Sequence, residues 1–207
     1  MVTMKIRLIV CTFFLVSLSS CFLFLGSLSR SKLNVVLIKD NPKYIGKDRE
    51  ERPIGNLGTL PMHKGETLLT IGRYGGGIEQ NYFLISYNGQ EVYIYRDDVL
   101  TPDDVLYQKL GSKFKVSISE DTYVRERAKG YINQHSHSDI EISTENLLKT
   151  KSVSDSSAIS FIVTRVVQVN TVEYEIICKS LKPGFDANIE ANQLAFFMVT
   201  GRTYERD

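Results

Sequence analysis

The chain has no tryptophan, only three cysteines, three histidines and five prolines in 207 residues, and almost no net charge. Each shortage excludes something. Lys+Arg 25 against Asp+Glu 24 leaves +1, so no polyanion is favoured and nucleic acid is not an expected partner. Cys11 and Cys21 both fall in one apolar run, which leaves Cys178 alone in the rest of the chain, so no intrachain disulfide is expected there. The only glycine triplet, Gly75-Gly76-Gly77, lacks the Gly-Lys-Ser/Thr ending of a phosphate loop and reads as a hairpin connection. With 43% hydrophobic and 24% charged residues, wholesale disorder and a multi-span membrane protein are both excluded.

What is present is concentrated first at the N-terminus. After Lys5 and Arg7, an uncharged stretch runs from Leu8 to Leu28 and is closed by Arg30 and Lys32. Such a run must lie in lipid or be removed, because it has the layout of an export signal and the length of a bilayer-spanning helix. Within it, Leu18-Ser19-Ser20-Cys21 resembles the lipobox of bacterial lipoproteins. The resemblance implies cleavage before Cys21 and its acylation, with the acyl chains holding the protein on a membrane. Phe22-Leu23-Phe24-Leu25 departs from the polar tether that usually follows, so an uncleaved single-span anchor stands beside the lipoprotein reading, with cleavage near Ser27 as a third. Flanking charges are balanced and do not orient the segment. The short N-terminal flank favours an exported C-terminal part, in the periplasm or on the cell surface.

Beyond the run, Leu33–Ile38 reads as a strand, residues 39–53 as a polar loop, and 67–73, 81–87 and 91–95 as further strands. Asn88-Gly89 supplies the positive φ angles of a type I′ turn and sets Tyr87 opposite Gln90, Ile85 opposite Val92 and Phe83 opposite Ile94. Both faces of this hairpin are then partly apolar, as in a small rolled-up sheet. The order of Ile54–Leu60, the Lys64-Gly65-Glu66 turn, Tyr82–Ile85, Gly89–Ile94 and Asp97–Leu100 resembles a bacterial SH3-like domain over about residues 33–100. That resemblance implies a small β-barrel that binds a peptide, a glycan or another envelope protein. Tyr93 and Tyr95, which share a face, are its candidate ligand-binding rings.

The second half carries a different pattern. Asp103–Leu110 suits a short helix, and Val124, Ala128, Tyr131 and Ile132 recur at helical spacing behind a cap at Ser117 or Ser119. Strands are expected over 140–144, 146–153, 159–169 and 172–180. Joining the last two through Asn170-Thr171 would place Val169 opposite Val172 and Arg165 opposite Ile176. Asp186 caps a final helix that Gly201 ends, with Ala187, Ala191, Leu194, Ala195 and Met198 as its buried stripe. The expected organisation is a signal or anchor over 1–30, an SH3-like β-barrel over 33–100, a linker over 101–112, and an α+β domain over 113–203. The fold class is thus mainly β plus α+β, the second part an antiparallel sheet flanked by two helices, whose family the residues do not name.

Chemistry has few candidates. His135, His137 and Asp139 alternate and can turn imidazoles and a carboxylate toward one metal ion, as a small metal-dependent hydrolase would require. The only other histidine is the distant His63, and a polar loop joining helix to strand accounts for the same residues. Arg165 lies on an otherwise apolar face and needs either an edge position or a partner such as Glu190. Cys178 shares a face with Val172, Tyr174 and Ile176 and reads as a buried structural thiol. No cofactor is expected. The preferred function is a non-enzymatic binding or structural protein anchored in the cell envelope, with an envelope protein or peptidoglycan as partner.

Overall fold

The computed structural model describes residues 27–76, 79–153 and 157–205, with the backbone alone at 27, 76 and 79–81. Cys21 and nearly all of the N-terminal apolar run lie outside the described residues. The chain divides into two compact units, with the break between Pro102 and Asp103.

The first unit is a curled antiparallel sheet of eight strands, open like half a barrel. Its strands are β1 (Ser27–Ser29), β2 (Leu33–Leu37), β3 (Lys43–Lys47), β4 (Pro53–Thr59), β5 (Thr67–Gly76), β6 (Glu79–Tyr87), β7 (Gln90–Tyr95) and β8 (Val99–Leu100). They lie in the order β4-β3-β7-β6-β5-β2-β8, with β1 also on β5. The β6–β7 hairpin turns at Asn88 (φ 50°) and Gly89 (φ 75°) and has the register the Asn-Gly pair predicts, Ile85 opposite Val92 and Phe83 opposite Ile94. Apolar clusters fill both faces. Val35, Leu37, Phe83, Ile85, Val92 and Ile94 are buried on one, and Ile45, Tyr74, Leu84 and Tyr93 on the other.

Two strands, β3 and β4, occupy a stretch whose first part, residues 39–53, was expected as a loop. Their pairing is irregular, with register shifts between Tyr44 and Gly46. Glycine and proline disrupt the alternation that would have marked these strands, so their signal is weak in sequence. A second difference is Leu28. Although it closes the apolar run in sequence, it lies in β1 opposite Tyr74 and packs on the second cluster. Gly72 makes this contact close: a Cβ there would lie 2.9 Å from the Ser29 carbonyl oxygen and 3.1 Å from a Leu28 methyl. Gly72→Ala should therefore lift β1 from β5. Hydrogen exchange at the β1 amides that face β5 is expected to rise about tenfold or more while the β6–β7 amides keep their protection; unchanged exchange would show that β1 adds nothing.

The second unit is an antiparallel sheet of five strands with three helices among the described residues, the short one expected at Asp103–Leu110 and the two expected on the sheet. Its elements are α1 (Pro102–Leu110), β9 (Lys113–Ser117), α2 (Asp121–His135), β10 (Ile140–Ser143), β11 (Leu147–Thr150), β12 (Ile159–Val167), β13 (Thr171–Ser180) and α3 (Ala187–Thr200). The sheet order is β10-β11-β12-β13-β9. Its inner face, with Phe114, Phe161, Val163, Val172, Tyr174 and Ile176, packs on Val124, Ala128 and Ile132 of α2 and Leu194 and Met198 of α3. Asp186 caps α3 through the Asn188 and Ile189 amides, and Gly201 ends it in the left-handed region (φ 73°), as the sequence predicts. α1 fills most of the stretch expected as a linker. Its Tyr107 ring is sandwiched near α3, stacked on Tyr204 with centroids 3.9 Å apart and edge-on to Phe196.

The β12–β13 hairpin corrects its expected register by two residues: Val167 pairs with Val172, Arg165 with Tyr174 and Phe161 with Cys178. The turn residues are Val169 and Asn170, closed by the Gln168 amide on the Thr171 carbonyl, and Val169 is 92% exposed. A valine in a turn gives no local signal. The shift of two keeps the same residues inward; what the observed register adds is Arg165 beside Tyr174, where both bond Asp121.

Candidate functional site: a basic groove along an open sheet edge

β9 is an edge strand, and its free side borders a cleft of about 700 Å³. The alternation Lys113-Phe114-Lys115-Val116 turns Phe114 and Val116 into the core and leaves both lysines exposed. Leu106 and Leu110 of α1, Val124 of α2 and Val199 of α3 give the cleft an apolar floor. Among the residues lining it, Lys109, Lys113, Lys115 and Arg127 are cationic and Glu120 alone is anionic.

Each charge has a defined position. Glu173, on β13, lies between Lys113 (2.9 Å) and Lys115 (3.3 Å), and these ammonium groups hold its carboxyl below the usual range. Glu120 accepts from the Ser117 hydroxyl (2.6 Å) and amide (3.2 Å), which lowers its pKa and ties the end of β9 to the start of α2. Arg127 donates to the Val199 and Met198 carbonyls at 2.6 and 3.2 Å, joining α2 to the C-terminal turn of α3. Lys109 and Tyr123 stand exposed at the rim.

The main chain of β9 is as informative as its side chains. In an antiparallel pair the two backbone groups of alternate residues face the same neighbour. Ser112 accepts from Ile176 and Ile118 donates to Asn170, so the residues of this parity, including Phe114 and Val116, face β13. Lys113, Lys115 and Ser117 therefore turn N–H and C=O toward the cleft. The Ser117 amide is taken by Glu120, and nothing among the described residues pairs with this side of β9 as a strand.

The residues singled out in sequence lie elsewhere. Tyr93 is wholly buried, its ring edge-on to Tyr74 and Tyr82, and its hydroxyl donates to the Glu51 carbonyl at 2.6 Å. It offers no ring face to a ligand, so Tyr93 and Tyr95 do not form a pair of accessible rings; Tyr95 is half-buried and packs on Tyr82. The cause is the β3–β4 connection, which folds over Tyr93, with Lys47 and Glu51 joining Arg30 and Glu91 in one ion network. Arg30 first and Lys47 second hold the Glu91 carboxyl down at about 2.

His135, His137 and Asp139 are not gathered into a metal site, and no group of three or more such ligands occurs among the described residues. His135 stacks on Tyr131 with centroids 4.0 Å apart, His137 is exposed in the left-handed region (φ 53°), and Asp139 pairs with Lys151 at 2.8 Å. Ser136 between them anchors the loop, its carbonyl accepting from the Ile159 amide. Arg165 pairs with Asp121, not with Glu190, which instead accepts from Tyr131. Cys178 is buried in the core. The groove was not identified in sequence. Its one local signal is the five-residue alternation at Lys113–Ser117, which marks a strand but not an edge.

No family model, no curated protein and no solved structure matches the chain.

Proposed function

We propose that the protein is a non-enzymatic binding or structural component of the cell envelope. Its N-terminal segment holds it at a membrane, its folded part is exported, and its first unit is an SH3-like module that engages a protein, peptide or wall polymer. The observation that carries this reading is the uncharged run of residues 8–26, which abuts a paired strand at Ser27. A segment of that composition needs lipid or removal. Among the described residues no helix is long and apolar enough to cross a membrane, so this run is the segment to test as an anchor.

Support for the SH3-like part is the curled antiparallel sheet, its type I′ hairpin, and the turn entering β5, where Gly65 (φ 91°) donates to the Leu37 carbonyl and Leu37 donates back to Glu66.

The test is the intact mass of membrane-extracted protein beside a Cys21→Ala variant, with protease added to intact and to permeabilised cells. A species beginning at Cys21 with added acyl mass, lost in the variant, is the lipoprotein outcome. Full-length mass in the membrane fraction of both is the uncleaved-anchor outcome. Full-length protein in the soluble fraction, protected from external protease, would overturn the proposal.

A further inference from the structure

The groove beside β9 has a definite stereochemistry, and from it we infer the binding surface and the chemistry of its occupant: an extended acidic segment of a partner protein, added to the second sheet as a strand along β9. The inference rests on reading the chain as a binding protein, and it locates binding in the second unit.

Three observations converge. First, Lys113 and Lys115 present their backbone donors and acceptors to the cleft, the arrangement that main-chain pairing with an added strand uses. Second, the two edges of this sheet differ. β10, at the other edge, is four residues long and has a register shift between Ile140 and Ile142, a feature that discourages pairing, whereas β9 pairs with β13 without a shift over five residues. Third, four cations and one carboxylate line the cleft, and that carboxylate is engaged by Ser117; Glu173, on β13, is shared between Lys113 and Lys115, so the lining stays cationic overall.

The faces of β9 then dictate the pattern of the occupant. In a strand paired with β9, residues opposite Lys113 and Lys115 share the lysines' face, and carboxylates are the complementary choice there. Residues opposite Phe114 and Val116 point to the helix side, where Leu106, Leu110 and Val124 supply an apolar floor. The fitting segment therefore alternates acidic and apolar side chains. Binding should weaken with salt, because the lysines are exposed.

The test uses full-length protein in detergent and two labelled, end-blocked hexapeptides, one alternating glutamate and valine, the other lysine and valine. The acidic peptide is expected to raise fluorescence anisotropy in a salt-dependent way and to slow hydrogen exchange at the Lys113 and Lys115 amides about tenfold or more. The basic peptide is expected to do neither. Lys115→Pro removes one outward amide while the bonds from Phe114 and Val116 to β13 remain, and should weaken binding about tenfold or more. Lys109→Glu changes only an exposed rim charge and provides the same test without touching the strand, should the proline variant unfold. Equal binding of the two peptides, or undiminished binding by both variants, would overturn the inference. So would absence of binding by the acidic peptide; aggregation of a Lys113→Val/Lys115→Val variant would then mean that the lysines only keep the edge from pairing. None of these results alters the mass of the anchored species, so failure of the groove and failure of the anchor are read separately.

Discussion

Asp121→Ala should destabilise the second unit by about 3–5 kcal/mol, the cost of leaving a buried charge without its partner. Arg165 and Asp121 are each only 13% exposed in their side chains, and they meet through Nε and Nη2 at 2.9 and 2.6 Å. Tyr174 adds a hydroxyl bond to the same carboxylate at 2.6 Å, while Asn146 takes another Arg165 nitrogen at 3.2 Å. Truncating Asp121 leaves the guanidinium without its counter-charge, with only Asn146 on it, and leaves the Tyr174 hydroxyl only its longer contact, 3.4 Å, to the backbone carbonyl of residue 121. Arg165→Met should cost less, because Asp121 keeps Tyr174 and a favourable place in the first turn of α2. Chemical denaturation followed by exchange of the β12–β13 amides separates the two; equal effects would show that the ion pair does not dominate. The pH dependence has a definite sign. Arg165 first, then Tyr174, hold the Asp121 carboxyl below its usual range against the opposing effect of burial. This contribution is fully present above the unfolded value near ~3.9 and is lost as pH falls through the lower folded value.

Cys178 should be modified at least about a hundredfold more slowly than a free thiol at pH 8, the loss of thiolate outweighing the greater nucleophilicity of a high-pKa thiolate. Burial pushes its thiol up to about 12. The thiolate fraction at pH 8 is then roughly 0.0001, against roughly 0.2 for an unperturbed cysteine near 8.5. Steric exclusion adds to this, because Cys178 is 5% exposed in the core between the sheet and the helices. Alkylation by iodoacetamide, read by peptide mass at Cys178 with and without denaturant, measures the ratio; native labelling within about tenfold of the denatured rate would show that the core opens readily. The sign at high pH runs opposite to that of Asp121. A raised folded value contributes stability below about 8.5 that is lost as pH rises toward 12, so this unit should weaken in alkali. Tyr131 and Tyr174, both pushed up by burial first, extend that loss above about pH 10.

Where the fold was legible in sequence, the information was local. Asn88-Gly89 specifies its own turn and therefore its hairpin register. Asp186 and Gly201 delimit α3 because a cap acceptor and a left-handed stop act within a few residues of themselves. Strands escaped where side chains did not alternate cleanly, as in β3 and β4, and the β12–β13 register escaped because its turn, Val169-Asn170, carries no strong turn chemistry. There, the joint pairing of Arg165 and Tyr174 with Asp121 sets the alignment from a distance of more than forty residues.

The site divides the same way. By itself the sequence determined the apolar N-terminal run, the mainly β and α+β fold class, the Asn-Gly hairpin, the caps of α3 and the inward face of Cys178, because composition, periodicity and turn chemistry are properties of neighbouring residues. Only the tertiary structure decided that Tyr93 is covered, that His135, His137 and Asp139 are not gathered, and that β9 is an edge beside a basic cleft. Exposure and edge position depend on which distant segments come to lie on either side of a residue, and that is settled when the sheets pair and the helices close over them.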